Sequence, residues 1–416
     1  MMALSYTDLE TLRFSGGDEF WYLVNGLGLF QEETSGLALG YPYAAHNLPI
    51  APIYLIITGL FQQFFPINTA IIMIRIFQML LSILTCYFAY DIGRLLSKDE
   101  RVGLASAGAL AFSITWILEP NSILSETVYI TLICLSIWIY CRYIVTRDDK
   151  KWSMIILVGI CLGLATLTRA VGILFPIGIA GHLVIISGKD NWKRSILLAL
   201  GILLSYGVTI STWTVYNWVN YERFIIVSNQ FMPAIWRGAV EGDGSPEEND
   251  ELLGDDTPLA QTSDIIANDP TAFVQRRINE LSDAYLQPHG TLNLGGESLK
   301  ALALNWLNSG FSWDGFQQLI QGEGFWIKLI IYIWHYVSLI GGLIGMWLSR
   351  KDWQVSLVLI GFIVYTTLIH FVGLALPRYI FPTFPFFWIF ASVTLVSLWD
   401  LIRGNKKEAD RNLPQI

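Results

Sequence analysis

The chain has 416 residues and a formal net charge of −8; 53% of its residues are hydrophobic and only 14% charged. Soluble domains carry roughly 25% charged residues. That shortfall, with a mean hydropathy of +0.49, excludes an ordinary soluble domain and points to an all-α polytopic membrane protein.

In chain order, residues 1–16 contain no hydrophobic stretch suited to a signal peptide or a span. The stretch 49–65 is apolar, short and interrupted by Gln, which predicts an interfacial or re-entrant helix. Runs of about 17–25 apolar residues, the length that crosses about 30 Å of hydrocarbon, then predict nine spans. They fall at 70–92, 102–119, 124–145, 153–168, 170–187, 195–217, 326–348, 354–376 and 379–401. The spans at 153–168 and 170–187 form one nearly apolar stretch, with basic residues on both flanks. Both ends therefore belong on one side, which demands two short crossings that meet on the other side near Thr168-Arg169.

Sixteen of the 26 basic residues lie in short alternating loops and the tail: Arg94, Lys98, Arg101; Arg142, Arg147, Lys150, Lys151; Lys189, Lys193, Arg194; Arg350, Lys351; Arg403, Lys406, Lys407 and Arg411. The positive-inside rule makes these ends cytoplasmic. Residues 218–325 hold five basic residues against 16 acids, a net of −11 in a chain of −8. The acidity thus belongs to one external loop and gives no reason to expect nucleic acid as a partner.

Four segments follow: 1–69, a first external loop with an acidic motif and interfacial helices; 70–217, transmembrane helices; 218–325, a large acidic external loop; and 326–416, C-terminal transmembrane helices and a cytoplasmic tail. With 1–69 outside and no span before it, a first helix is expected to be missing. Within the large loop, the acidic, Gly/Pro-containing stretch 241–262 predicts a mobile insert. Asp269-Pro270 predicts a helix start, N-cap then Pro at the first helical position, with Phe273, Leu281 and Tyr285 on one face and Pro288 as the stop. Trp306, Phe311, Trp313, Phe316, Phe325 and Trp326 crowd the return to the membrane, as a belt of interfacial aromatics or an acceptor-binding lid.

Cys86, Cys134, Cys141 and Cys161 all lie in apolar spans, so no disulfide framework is expected. There is no zinc-site spacing, Walker loop or dinucleotide fingerprint. The lack of any Asn-x-Ser/Thr sequon favours a bacterial source.

The candidate chemistry sits at the non-cytoplasmic face. Asp18-Glu19, in Gly-Gly-Asp-Glu-Phe-Trp-Tyr22, is an acidic pair among aromatics, suited to general-base work. Glu126, Arg169 and Arg378 lie at the outer ends of spans, and Arg75 near another. A charge at the bilayer centre costs about 2.5–3.5 kcal/mol, a cost that fades near the surface by snorkelling. Each charge alone therefore reads equally as a helix anchor. Together they are the set needed to hold a lipid phosphate and deprotonate an acceptor.

In these motifs the chain resembles the GT-C membrane glycosyltransferases of the protein mannosyltransferase and aminoarabinose-transferase type (glycosyltransferase family 39-like). The matching stretches are Asp18-Glu19 followed by Tyr22; His46-Asn-Leu-Pro49-Ile-Ala-Pro52-Ile-Tyr54, a looser match; Ile74-Arg75; Ser125-Glu126-Thr127; Gly163 to Arg169; and Pro377-Arg378-Tyr379 with Pro382 and Pro385. They run in order over residues 14 to 400. The resemblance implies a GT-C-like helix bundle that moves a sugar, with inversion, from a polyprenyl-phosphate donor to a protein, lipid or glycan acceptor at the extracytoplasmic face of a plasma membrane. It implies Asp18 as the base, Glu19 as an orienting group, Arg169 and Arg378 as phosphate ligands, and Tyr22, His46, Glu126 and Tyr379 as further substrate contacts. Some enzymes of this type use a divalent cation; one external Glu and an Asp-Glu pair leave that open here. The rival readings are a transporter or flippase for a lipid-linked sugar, which should show internal repeats and midplane charges, and a non-catalytic envelope assembly protein.

Overall fold

The computed structural model describes residues 18–30, 51–187, 191–222, 224–228, 231–239 and 258–404. The His46 region and residues 241–257 of the expected mobile insert lie outside them. The rest of that insert is not loop: Pro258 opens a helix that runs to Asn268.

All elements among the described residues are helical. Helix α1 is Asp18–Gly28, α2 Pro52–Phe64, α3 Ile67–Ser97, α4 Glu100–Ala111, α5 Ile114–Leu118, α6 Glu126–Tyr140, α7 Trp152–Thr168, α8 Phe175–Ile186 and α9 Trp192–Tyr221. The large loop supplies α10 (Phe231–Ala239), α11 (Pro258–Asn268), α12 (Pro270–Leu286), α13 (Leu299–Asn308) and α14 (Trp313–Gln321). The C-terminal region supplies α15 (Phe325–Leu348), α16 (Trp353–Val372), α17 (Pro377–Ile380) and α18 (Phe384–Ile402).

Five helical stretches are long and apolar enough to cross a membrane, six if the bent 100–121 pair counts as one. Fewer than the nine expected spans meet that test, for three physical reasons. The stretch 102–119 is broken: α4 ends at Ala111, the Ser113 hydroxyl caps α5 by accepting from the Trp116 backbone N–H, and the two halves bend by 60°. Helices α7 and α8 have 17 and 12 residues, about 25 and 18 Å at 1.5 Å per residue. They are joined through Arg169. Gly159 and Gly163 of α7 meet Ser205 and Thr209 of α9, whereas α8 starts beside Tyr206 and ends just before α9 begins at Trp192. Helices α7 and α8 thus run in opposite directions, and the expected reversal is present. Finally, α15 and α16 form one apolar stretch divided by a turn at Ser349–Asp352. Asp352 pairs with Lys98 at one end, while His335 of α15 and Thr367 of α16 both bond Tyr285 toward the other. The stretch therefore doubles back.

Helix α18 is the centre of the bundle and is buried along nearly its whole length. It packs on α15, α4 and α3. Its closest neighbour, α15, presents Gly342 and Gly345 to Phe387 and Phe390; a methyl on Gly345 would overlap the Phe390 carbonyl. Faces turned away from the bundle stay apolar, as with Leu80 and Ile83 of α3, Leu204 and Val208 of α9, and Ile340 and Leu343 of α15. Apolar exposure on this scale suits a lipid solvent. The basic ends of the helices come together, and the Asp18, Glu126, Arg169 and Arg378 ends gather at the opposite pole. The four cysteines are free.

Candidate active site

Helix α1 brings the acidic pair to the bundle by packing back to back on α2. Gly26 and Gly59 make this approach possible, since a side chain on either would overlap Thr58, Phe30 or backbone of the other helix. Thr58 and Gln62 then donate to the Tyr22 and Leu23 carbonyls. The Tyr22 ring meets Tyr54 edge-on at 4.8 Å. Burial pushes the Tyr22 hydroxyl up to about 12, so it acts only as a hydrogen-bonding phenol.

Asp18 and Glu19 diverge, as consecutive residues on a helix must at about 100° per residue. The Arg378 guanidinium (Nη1) donates to Asp18 Oδ2 at 2.5 Å, and the two side chains remain 31% and 47% exposed, so a solute can reach both. Glu19 turns instead toward Arg75 and the 122–123 turn. Burial raises its carboxyl above the usual range, against the opposing influence of Arg75 and of hydrogen bonds from the Ile123 backbone N–H and the Ser122 hydroxyl.

Arg378 is set by three prolines. Pro377 opens α17 after an extended Leu376, and Pro382 and Pro385 occupy the first turns of the two helical pieces that follow; each fixes φ without sacrificing a helical hydrogen bond. Tyr379 anchors the guanidinium by accepting from Arg378 Nη2 at 3.1 Å, with the guanidinium carbon 4.9 Å from the ring centre. The same ring takes Arg169 at 5.3 Å and stacks on His370 at 5.3 Å and 17°. Arg378 Nε is buried without a protein partner.

Arg169 pairs with Glu126 at 2.6 Å and donates to Ser125 Oγ at 3.1 Å. Glu126 begins α6 and is 1% exposed; a carboxylate in a first turn also complements the helix dipole. Tyr22 joins the group through Ser125 Oγ at 3.1 Å. Asp18, Arg378, Tyr379, Arg169, Glu126 and Tyr22 thus form one network, although they come from α1, α6, α7 and α17. His46, the remaining expected contact, lies outside the described residues. No group of three or more His, Cys, Asp or Glu among the described residues could hold a metal ion.

The structure adds three groups. Gln78 accepts from Tyr54 at 2.5 Å and donates to the Pro120 and Ser122 carbonyls at 2.9 and 2.7 Å, pinning the turn beside α6. His289, beyond α12, meets Glu119 of that turn at 2.6 Å. His370 backs Tyr379. A lone His carries little signal in sequence; only its neighbours in space give these residues a meaning.

Residues 49–216 match a family model described as dolichyl-phosphate-mannose-protein mannosyltransferase. The structure resembles that of the archaeal oligosaccharyltransferase AglB from Archaeoglobus fulgidus, solved in complex with an inhibitory peptide and a dolichol-phosphate, with a TM-score of 0.52 at 13% identity over 94% of this chain and 48% of that one. The fold is a helical membrane bundle like that of AglB, and its mannosyltransferase-like segment is residues 49–216. A second similar structure is ArnT from Cupriavidus metallidurans bound to undecaprenyl phosphate, with a TM-score of 0.47 at 14% identity over 84% of this chain and 50% of that one. The chain spans about half the length of the solved structures it matches. No curated protein matches it by sequence. The family segment contains Glu126 and Arg169 but not Asp18 or Arg378, which the fold brings to them.

Proposed function

We propose that the chain transfers a sugar from a polyprenyl-phosphate carrier to an acceptor hydroxyl or a similar nucleophile at the extracytoplasmic face of a multi-pass membrane protein. The observation that carries this reading is the Asp18–Arg378 pair. A carboxylate and a guanidinium that hold one another, both reachable by solute, stand beside a second Arg–Glu pair and a tyrosine platform.

The four charges sum to zero, so an arriving donor phosphodiester brings the net negative charge. Its phosphate competes with Asp18 for Arg378. When the phosphate takes the guanidinium, the Asp18 carboxylate is released to accept a proton. In the step that follows, the acceptor O–H proton passes to Asp18, the acceptor oxygen bonds the anomeric carbon, and the bond from that carbon to the phosphate oxygen breaks. The polyprenyl monophosphate leaves with its added negative charge facing Arg378, and attack opposite the leaving group inverts the anomeric centre. Arg169, neutralised by buried Glu126, contributes mainly as a hydrogen-bond donor and as a support for Tyr379. Glu19 holds the 119–125 turn and so orients α1.

Asp18→Asn preserves shape and removes the base. A general base is worth about 10²–10⁴-fold, so turnover of the reconstituted chain with a polyprenyl-phosphate sugar should fall by that factor while donor binding is kept or tightened, because a neutral amide competes less for Arg378. Wild-type turnover in Asp18→Asn would end this assignment.

A further inference from the structure

The turn at residues 119–125 meets Glu19, Tyr22 and Arg169 of the site. Its Ser122 and Ile123 face Glu19, its Ser125 holds Tyr22 and Arg169, and Gln78 pins two of its carbonyls. From the large loop, the segment 270–294 reaches the same turn. Tyr285 bonds Thr367 at 2.6 Å, His335 Nε2 meets the Tyr285 carbonyl at 2.7 Å, and Arg277 donates to the Gly373 carbonyl just before Arg378. At its far end, His289 meets Glu119 at 2.6 Å with both side chains nearly buried (14% and 8% exposed). The His289 ring lies 4.9 Å from that of Phe381, three residues beyond Arg378. The other Glu119 oxygen, Oε1, is buried with no protein partner, so this carboxylate depends on His289.

We infer that His289 and Glu119 are positioning residues: their ion pair clasps the 270–294 segment of the large loop onto the turn that orients Asp18, Glu19 and Arg169. The other contacts named between this segment and the bundle are neutral hydrogen bonds or donations to backbone carbonyls, so this pair is the one that titration can loosen. Glu119 and Glu126 face the imidazole with negative charge, Arg378 with positive charge, and His335 lies across the adjoining groove of about 160 Å³. Burial by itself would lower the His289 pKa, but the Glu119 and Glu126 carboxylates together outweigh it and the net direction is upward. With the folded value raised, the pair is fully charged below the unfolded value of about 6.5. Its contribution is lost as pH rises through the folded value.

Hydrogen exchange over residues 270–294 in the full chain, in lipid nanodiscs, tests the clasp without reference to turnover. Protection factors there should fall about tenfold between pH 6 and pH 9, the difference between a charge-assisted and a neutral hydrogen bond. Protection over α18 should stay level. Glu119→Gln and His289→Gln should each show the lowered protection already at pH 6 with no further change, and the double variant should lose no more than either single one. Level protection across this range in the wild type, or additive losses in the double variant, would overturn the clasp. If the variants do not fold, the wild-type pH series decides alone. The consequence for catalysis rests on the transferase reading: wild-type turnover should fall as the clasp is lost at alkaline pH, and His289→Gln should show the lowered turnover already at pH 6 without that further fall. A chain inactive with every donor but showing the pH-dependent protection would sink the transferase reading and leave the clasp standing.

Discussion

The two poles of the bundle use the same side chains to different ends. At the basic pole, Asp91 is saturated: one oxygen takes Arg94 at 2.7 Å, the other takes Trp138 Nε1 at 2.8 Å and Arg142 at 2.5 Å. Asp400, fully buried, receives both terminal nitrogens of Arg101 at 2.7 and 2.9 Å. At the opposite pole Glu126 and Arg169 complete one another, but the rest of the set does not. Arg378 Nε, Arg75 Nε and Glu119 Oε1 are buried without protein partners, and Asp18 stands half exposed. A buried polar atom without a partner costs about 1–3 kcal/mol. On the proposed function, the second set is left open for a ligand.

The comparison can be broken at either pole, and the largest effects on stability belong to the buried acids of each. Asp400→Ala removes two charged hydrogen bonds from a buried acid while Arg101, 43% exposed, keeps Asp99 as its partner, a loss of about 1.5–3 kcal/mol. Thermal unfolding of the variant should move down by several degrees, while the activity of the molecules that remain folded is kept. Glu126→Ala, which leaves Arg169 uncompensated, should cost a similar amount and also lower activity; a stable Glu126→Ala protein would mean that Arg169 finds another anion or escapes to water.

Next in size is Arg378→Ala. Charged hydrogen bonds of this kind are worth about 1.5–3 kcal/mol, so donor affinity should drop about tenfold to a hundredfold with little loss of folded protein. Arg378→Lys should rescue only in part, because an ammonium lacks the planar fork that rests on Tyr379. Unchanged donor titrations in both variants would place the phosphate elsewhere. The smallest effect belongs to the exposed Lys98–Asp352 pair at 2.8 Å. Exposed pairs contribute below about 1 kcal/mol, and Lys98→Ala should leave both unfolding and turnover near wild type.

Much of this architecture was legible in the chain. Apolar length placed the helices, and the basic flanks of 153–187 demanded the reversal found at Arg169. Asp269 accepts from the Ala272 N–H with Pro270 in the first turn, the cap that the sequence pattern called for. Glu126, Arg169 and Arg378 were recognisable as candidates because they stand at the ends of apolar runs, and Tyr22 and Tyr379 because the motifs of the resemblance carry them. Other features depend on distance in space. Nothing local marks the 60° break after Ala111, since neither Pro nor Gly stands there; a Ser cap and packing on α18 make it. The Asp18–Arg378 and Glu119–His289 pairs join residues 360 and 170 positions apart, beyond the reach of periodicity. The divergence of Glu19 from Asp18 became visible only once α1 was helical and docked on α2.

The most direct test sets one carboxylate from each pole side by side. Asp18→Asn and Asp400→Asn, purified in the same lipid, should be measured for thermal unfolding and for turnover per folded molecule with a polyprenyl-phosphate sugar. The account predicts a crossed result: Asp18→Asn unfolds near the wild-type temperature and loses about 10²–10⁴-fold in turnover, while Asp400→Asn unfolds earlier and keeps its turnover. If both variants lose stability and neither loses turnover per folded molecule, Asp18–Arg378 is one more staple and the division between the two poles is wrong.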